Sequence, residues 1–595
     1  MKLSDYVIDY IKEKGINHVF GVTGGVITPL IDSCHRKDLE FICTAQEQGA
    51  SMAAEAYSRI NGNLGVAMAT SGPGATNMIT GIIGAYFDSI PALYITGQVS
   101  TTDSTYKGGP RQIGFQETDI VSVVKPITKF AYQVDDPMEI RYYLDKAIHI
   151  AKSGRPGPVL LDLPMNVQLE EINTENLKSY VPRRKQTSYL ELQEKVTQTM
   201  SLINEAERPV VILGAGVKIA GAEAEARTLV GMLGIPVTPS WGGIDILPHS
   251  HPLFVEGFGA SHSRAGNFTV QNSDLVISIG SRLDTKQTGS RVETFARRAK
   301  KVVVDIDASE LYKDRGMKVD VGINYSAKDF VRVMLEAGDS ISTRDLSPWK
   351  ERIRDWVERY PICLPEYFEQ KEKVNPYVFM AALSEESKEG DKIVLEIGAS
   401  EIWALQSWKV KERQRIFSDF GSSSMGYALP AGIGASFASN KGDVTCIMGD
   451  GAFKMCVKEL ETAVRHNLPV KVFVMDNHEY AIIKQFQDVW FDSRYAATDV
   501  AGGLGEVDIL KVSEAYGAAT VRINNHSEIR EKIREVRDYR GPIVCGVEIK
   551  AGEKMRPKLE FGRPIEDPWP HLSDEELEAN MIVGSLRRIK GNYAE

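Results

Sequence analysis

The sequence predicts an α/β protein made of three open parallel sheets. Three observations carry that expectation. Short runs of apolar and β-branched residues recur at 65–70, 92–96, 159–161, 210–213, 275–279, 302–306, 444–448, 470–475 and 543–547, without the strict polar–apolar alternation of a half-exposed strand. Such runs suit strands covered on both faces, as in parallel sheets. Glycine-rich corners and helix-length stretches separate them, which is the rhythm of βαβ units, and 595 residues exceed what one core accommodates.

Four segments follow from that rhythm. The first unit spans 1–175, and a polar stretch at 182–188 reads as a linker. The second unit spans 189–340, after which a charged segment from 347 to about 373, carrying Trp349 and Trp356, reads as helical. The third unit spans 374–550 and has a strand and helix count similar to the first. A tail, 551–595, holds Pro557, Pro564, Pro568 and Pro570, too many for a sheet unit, and is expected to wrap or cover the rest.

Composition narrows the function classes. Hydrophobic residues make up 43% and charged residues 25%, as in a globular protein. A net charge of −10 without a Lys/Arg block argues against nucleic acid as a partner. The six cysteines, at 34, 43, 363, 446, 456 and 545, form no C-x-x-C pair, so reduced thiols and a cytoplasmic location are expected. The first fifteen residues interleave charges at helical spacing, unlike a signal peptide, and no uncharged apolar stretch approaches a membrane span.

The strongest chemical signal lies in the third unit. The run 444–448 ends in Gly449-Asp450-Gly451, and the run 470–475 ends in Asp476-Asn477. One βαβ crossover makes these strands parallel and brings their carboxyl ends to one edge. Asp450 and Asn477 then offer oxygen ligands alone, which suits Mg²⁺ or Ca²⁺, while the glycines let backbone N–H groups approach an anion. A cation held against a diphosphate fits this set. A tight corner with a capping Asp fits the residues too. A dinucleotide fold fits less well, because Gly449-Asp-Gly-Ala-Phe-Lys454 lacks the third glycine of G-x-G-x-x-G.

Gly-Asp-Gly, 24 residues and then Asp-Asn resembles the signature of thiamine-diphosphate enzymes, which usually closes with Asn-Asn. The resemblance implies that Asp450, Asn477 and the Glu479 carbonyl hold Mg²⁺ on the cofactor diphosphate, beside Gly449, Gly451 and Ala452.

In the first unit, Glu47 sits at a strand-to-helix corner. An acidic residue there also serves as ordinary first-turn capping. The motifs that follow are Gly65–Asn77 with its Ser71-Gly-Pro-Gly74 corner, Asp88-Ser-Ile-Pro91, Gly114-Phe-Gln-Glu117 and Gly154-Arg-Pro-Gly157. In order and spacing these closely resemble the catalytic subunit of the acetolactate synthase family over about 550 residues, with pyruvate oxidases and 2-oxo acid decarboxylases as wider relatives. The three units would then be pyrimidine-binding, central and diphosphate-binding. Glu47 would face the cofactor's pyrimidine nitrogen, a task that needs a shielded carboxyl. Gly24, Gly25 and Asn77 would line the cofactor on this side, with Phe115, Gln116 and Lys129 near substrate. Ala399, Ser400 and Ser423 would border the cofactor from the third unit, and Met425 would be the apolar wedge that bends it, a role a flexible thioether suits.

The middle unit carries Gly214-Ala-Gly216, then Gly280-Ser-Arg282 leading to Thr288-Gly289, then Asp305 in a run ending Asp-Ile-Asp307. These resemble the family's flavin domain and imply a structural FAD as an optional further cofactor, with Arg282 near flavin and substrate. A spacer domain with a surface arginine is the other reading, and Ser326-Ala327 stand where a Gly-Asp pair is usual.

The resemblance implies decarboxylation of a 2-oxo acid, with pyruvate the default donor, and ligation of the fragment to a second carbonyl, with acetolactate the default product. A bulkier ketone such as a nucleotide-linked keto sugar, or simple release as an aldehyde, are the alternatives; a noncatalytic regulatory partner is a third class. Departures cluster around the acceptor: Gln46 for a usual His, Ala399-Ser400 for Gln-His, Phe486 for a Trp, and the long tail. A phenyl in place of an indole widens a pocket and removes an N–H donor. The resemblance also implies a homodimer or homotetramer and admits a separate regulatory chain.

Overall fold

The computed structural model describes residues 1–105, 109–182, 188–338 and 345–586. Seventeen strands form three sheets, and every pairing is parallel. The first sheet holds β1 His18–Gly21, β2 Glu40–Cys43, β3 Gly65–Ala69, β4 Ala92–Gln98, β5 Phe130–Gln133 and β6 Val159–Pro164, in the order β2-β1-β3-β4-β6-β5. The second holds β7 Pro209–Leu213, β8 Val237–Pro239, β9 Leu275–Ile279, β10 Lys300–Val304 and β11 Val321–Ile323, ordered β11-β10-β9-β7-β8. The third holds β12 Lys392–Leu395, β13 Arg415–Phe417, β14 Val444–Gly449, β15 Val470–Asp476, β16 Ala519–Ile523 and β17 Ile543–Glu548, ordered β13-β12-β14-β15-β17-β16. Counted from its own first strand, the third sheet repeats the order of the first.

The central strands β3, β4, β6, β7 and β9 are buried at every residue, as their unalternated sequences require. The expected linker, apart from its ends, lies outside the described residues. The charged segment forms a helix only over Ser347–Arg359, with a 3₁₀ turn at Pro365–Glu369, shorter than the sequence reading to about 373. The reason is local. Pro361 disfavours helical geometry at Tyr360, and Pro365 breaks the continuation. Both tryptophans face inward, and Trp356 donates from Nε1 to Asn580 Oδ1 at 3.0 Å.

The first and third units share one apolar core. At its centre the helix Glu47–Asn61 crosses the helix Ala428–Ala438, and both are built of small residues at the contact. A Cβ on Gly434 would stand 2.0 Å from the Ala53 carbonyl oxygen, so only glycine permits the approach. A polar clamp closes one side: Arg59 pairs with Glu55 and Asp88, Tyr427 donates to Glu55 at 2.7 Å, and Asp88 accepts from the Phe420 and Gly421 amides.

The tail runs from the third unit onto the second. Gln485 exchanges two hydrogen bonds with Met555, Gln406 donates to the Pro557 carbonyl, and the Leu559 amide donates to the Ala260 carbonyl. Beyond it, buried Glu566 accepts from Arg297 at 2.9 Å, and a short helix, Asp574–Asn580, packs by Leu577 against Phe268 and Trp356. No helix among the described residues is long and apolar enough to cross a membrane.

Gly434→Val should push the two central helices apart and cost about 1–3 kcal/mol or more, read as a lower denaturant midpoint; an unchanged midpoint would remove this crossing from its place in the fold.

Candidate active site

The metal corner forms where β14 and β15 end side by side, paired from Val444↔Val470 to Gly449↔Met475. Asp450 opens the helix Asp450–Cys456 and is 3% exposed. The amide end of Asn477 lies 3.0 Å from the Glu479 carbonyl oxygen and 3.3 Å from Asp450 Oδ1. Three sequence-predicted ligands thus converge on one point; here the Asn477 nitrogen donates to the two oxygens, and the same amide turned to present its oxygen would complete a set of three for a cation. Burial pushes the Asp450 carboxyl up, against the pull of Lys454, whose Nζ is 3.3 Å away. A cation or Lys454 can offset that buried charge, whereas bulk water cannot reach it.

Two neighbours escaped the sequence reading. Asp476 and His478 present ligand atoms that, with Asp450, all lie within 4.8 Å of one another. Burial drives the Asp476 carboxyl up to about 6. The run Asp476-Asn-His-Glu479 holds the signal, since it adds a carboxylate and an imidazole to the predicted ligands. Gly451 is required beside this group, because a Cβ there would stand 2.2 Å from the Tyr480 ring; Gly449 meets no such obstacle, and Ala452 is buried behind them.

In the first unit, Glu47 opens its helix at the carboxyl end of β2 and is half-buried. Asn77 donates from Nδ2 to Glu47 Oε2 at 3.0 Å, and a Cβ on Gly74 would come within 3.3 Å of Oε1. Gly24 sits against Thr70, with no room for a side chain, while Gly25 faces open space. Gln116 takes φ +63 and lays its backbone against Gly72, where a Cβ would stand 2.9 Å from the Gln116 carbonyl. Phe115 beside it is 85% exposed. Glu117 fixes this loop: burial raises its carboxyl, but the Ile113, Thr105 and Gly114 amides and the Thr105 hydroxyl outweigh it and hold it at about 2. Glu47, Asn77, Gly24, Gly25 and Gln116 therefore share one corner.

Lys129 does not join them. It precedes β5, whose Phe130 pairs with Val159 at the amino end of β6, three or four residues below the edge where Glu47 lies. Its ammonium donates to the Ile150 and Ser153 carbonyls at the end of the helix Ile140–Lys152. Burial lowers it to about 8. The assignment of Lys129 to the substrate side is corrected on that ground: in this chain its donors serve the helix end.

From the third unit, Ala399 and Ser400 start a buried helix, Ala399–Ser407, after Gly398 at φ +119. Ser423 turns at φ +59 and leads to Met425, partly buried against the shared core. Glu396 fixes that loop by accepting from the Gly426 and Ala428 amides at 3.0 and 2.9 Å.

The second unit borders a cavity of about 700 Å³ reached by residues of all three units, including Gly216, Arg282, Asp305, Arg155 and Phe420. Gly214 and Gly216 press against Gly280: added Cβ atoms would stand 2.2 and 2.7 Å from it. Gly214 backs the wall without lining it. Arg282 pairs loosely with Asp284, 3.6 Å away, and Asp305 is 9% exposed, with burial raising its carboxyl. The volume lies within the roughly 300–1,000 Å³ of ligand pockets.

Comparison with known proteins agrees with this geometry. Residues 1–123 match the model of the thiamine pyrophosphate enzyme N-terminal TPP binding domain, 196–334 the central domain and 396–547 the C-terminal TPP binding domain. The chain belongs to the thiamine pyrophosphate enzyme family. The acetolactate synthase large subunit of Cyanidium caldarium is 31% identical over 571 residues, 94% of each chain. The probable acetolactate synthase large subunit of Methanocaldococcus jannaschii is 34% identical, covering 93% of each, and that of Lactococcus lactis is 31% identical over 97% of this chain and 98% of its own. Family membership makes this chain a thiamine-diphosphate-dependent enzyme of the carboligase type.

Five buried carboxyls set a pH dependence. Burial raises Asp162, Glu256 and Glu459 to about 7 and Glu396 and Glu401 to about 8. Each holds more proton in the folded chain than in the unfolded one, so its contribution is complete below the ordinary carboxylate range and is lost as pH rises through its raised value. His262, lowered to about 4 by burial, works in the opposite sense, as do His18, His249, His251, His466 and His526, also lowered by burial, until pH passes the ordinary imidazole value of about 6.5. Above that value the five carboxyls outnumber Lys129 and Lys558, lowered to about 8 and about 7, and the thermal midpoint should fall between about pH 6.5 and about pH 8; a rise across that window in scanning calorimetry would contradict these assignments.

Proposed function

We propose that this enzyme uses thiamine diphosphate and Mg²⁺ to decarboxylate a 2-oxo acid, pyruvate by preference, and joins the acyl fragment to a second carbonyl compound. The observation that carries the reading is the convergence of Asp450 Oδ1, the Asn477 amide and the Glu479 carbonyl at one strand edge. Asp450, Asn477 and Glu479 would hold the cation on the diphosphate, with Gly449, Gly451 and Ala452 beside it. When bound, the cofactor supplies the carbon nucleophile that attacks the 2-oxo acid and holds the electrons left when CO₂ departs.

The chain's own residues bind, orient and move protons. Glu47, oriented by Asn77, would hold a proton toward the pyrimidine ring nitrogen. Met425 would be the apolar wedge against the bound cofactor, and the Ser423 turn, fixed through Glu396, sets its position. Gly24 and Gly25 leave room at the reacting centre, and Gln116 and Phe115 stand at its mouth. Within one chain, Glu47 pairs with the 74–77 corner and Asp450 with the 477–479 corner, while the nearby Gln46 amide is tied to Glu459 instead. A homodimer or homotetramer, in which a partner's first unit meets this third unit, accounts for the exposed Phe115. Arg282 faces the shared cavity and would bind an anionic substrate group. The cavity also has the volume for a structural FAD, and a visible absorption spectrum of the purified protein decides its presence.

One observation favours an acceptor larger than pyruvate. Phe486, where relatives with an indole would close the pocket, is a phenyl 38% exposed. A phenyl there occupies less space than an indole, which would suit a bulky ketone such as a nucleotide-linked keto sugar. Mass spectrometry of products from pyruvate, thiamine diphosphate, Mg²⁺ and a panel of ketones separates the readings: acetolactate from pyruvate alone identifies the small acceptor, and turnover only with an added sugar ketone the larger.

Glu47→Gln should reduce CO₂ release by about 10²-fold or more while cofactor still binds; an unaltered rate would take Glu47 out of the mechanism. Asp450→Ala should weaken Mg²⁺-dependent retention of thiamine diphosphate by at least about tenfold, measured by gel filtration of the loaded protein, and equal retention would move the cation elsewhere.

A further inference from the structure

The metal corner holds more ligand atoms than a cation on a diphosphate needs. Asp450, Asp476 and His478 each present one ligand atom, all within 4.8 Å of one another, and among the described residues this is the one such group of His, Cys, Asp and Glu side chains. Donors about 2.0–2.2 Å from a tetrahedral ion stand roughly 3.3–3.6 Å apart. Asp476 Oδ1 and His478 Nδ1 nearly meet that spacing at 3.2 Å. Asp450 completes the set with a small side-chain rotation.

Asp476 is the residue that points to an ion. It is 3% exposed, and its Oδ1 makes no hydrogen bond. His478 Nδ1 faces that oxygen without the alignment of a hydrogen bond. A carboxylate oxygen taken out of water and left without a donor is costly, and a cation between the two atoms removes that cost. His478 reaches the place through its backbone: φ +56, which histidine tolerates better than most residues, brings the ring back to Asp476, the last residue of β15. On the other side of the ring, Nε2 lies 3.9 Å from Glu506 Oε1. That is the placement of an outer carboxylate that orients a metal-bound imidazole. The ring is partly exposed, which leaves an ion a way in.

We propose that Asp450, Asp476 and His478 bind a transition-metal ion of borderline softness, Zn²⁺ by preference, in a site that shares Asp450 with the oxygen-only set of Asp450, Asn477 and Glu479. Imidazole suits Zn²⁺ and its neighbours, whereas Mg²⁺ takes oxygen ligands and gives up its water reluctantly. Two carboxylates neutralise the ion, and three protein ligands leave a fourth position for water. Lys454, whose Nζ is 3.3 Å from Asp450 Oδ2, also donates to the Gly505 carbonyl at 3.1 Å, so it can withdraw toward that carbonyl as the ion enters. The shared Asp450 makes the two arrangements exclusive: with Zn²⁺ in place, the cation of the diphosphate loses a ligand. Zn²⁺ binding stands on the geometry alone; its competition with the cofactor rests on the Mg²⁺ assignment given above.

The test uses the full-length protein, freed of metal and cofactor by chelation and dialysis. Calorimetric titration should show one equivalent of Zn²⁺ bound at least about tenfold more tightly than Mg²⁺. His478→Asn tolerates the positive φ and removes the imidazole; Asp476→Asn keeps the shape and removes the charge. Each should weaken Zn²⁺ binding by about tenfold or more, the scale that loss of even an outer partner produces. The thermal midpoint in chelator reports whether each variant folds, and Zn²⁺ should raise the midpoint of the wild type more than that of either variant. Co²⁺ in place of Zn²⁺ should give the wild type the strong visible bands of a four-coordinate ion, and His478→Asn should lose them. With thiamine diphosphate and excess Mg²⁺ present, Zn²⁺ should displace the cofactor from the wild type on gel filtration, and the concentration needed should rise about tenfold or more in His478→Asn. Failure of Mg²⁺ to retain the cofactor would overturn the Mg²⁺ assignment, and the Zn²⁺ titration would still decide for this site. Equal Zn²⁺ affinity in the wild type and both variants, no binding by any of them, or full retention of the cofactor at saturating Zn²⁺ overturns the proposal.

Discussion

The crossing of the helices Glu47–Asn61 and Ala428–Ala438 is the constraint on which the arrangement rests. Its closeness comes from Gly434 lying on the Ala53 carbonyl, in a core filled by alanines and by aromatic residues such as Phe437 and Tyr57. The first of these helices begins with Glu47, and the second follows the loop that carries Met425. One contact between small residues thus fixes two site elements that are almost four hundred residues apart in the chain. Because close-packed interiors yield little, each corner keeps its geometry without direct bonds between Glu47 and Asp450.

The two outer sheets repeat a single strand order, yet they carry different chemistry at their carboxyl edges. The first presents a carboxylate steered by an amide, and the third presents a carboxylate, an amide and a carbonyl gathered at one point. Parallel strands make this division natural. Their ends all open in one direction, so a ligand that bridges two such edges meets groups of opposite purpose at its two ends. The central sheet adds no group to either edge; it walls the large cavity, and its Gly214–Gly280 contact keeps that wall thin.

Around this frame the tail acts as a strap. Its hydrogen bonds pass from the third unit, through Gln485 and Gln406, to the second, through Ala260 and Arg297. Its prolines bar helix and sheet, so its own backbone groups must find partners in neighbouring elements. Of the two lysines among the described residues of the strap, Lys554 pairs with Asp488 at 2.7 Å, whereas the buried Lys558 ammonium has no hydrogen-bond partner.

The sequence by itself determined the three parallel sheets, because unalternated β-branched runs have one stable environment, and it determined the juxtaposition of Asp450 and Asn477, because the ends of adjacent parallel strands must converge. Glu47 was legible only through motif order, since an acidic first-turn residue is commonplace. Tertiary structure alone decided the rest. Lys129 looked available until its strand was placed at the sheet's opposite end with two carbonyls waiting for its ammonium. Asp476 and His478 joined the metal corner because the backbone turns sharply at His478, φ +56, which no composition reveals. The path of the tail was equally hidden: side-chain spacing encodes local periodicity, whereas the seam where Lys558 meets Phe486 exists only once two segments about seventy residues apart in sequence pack together.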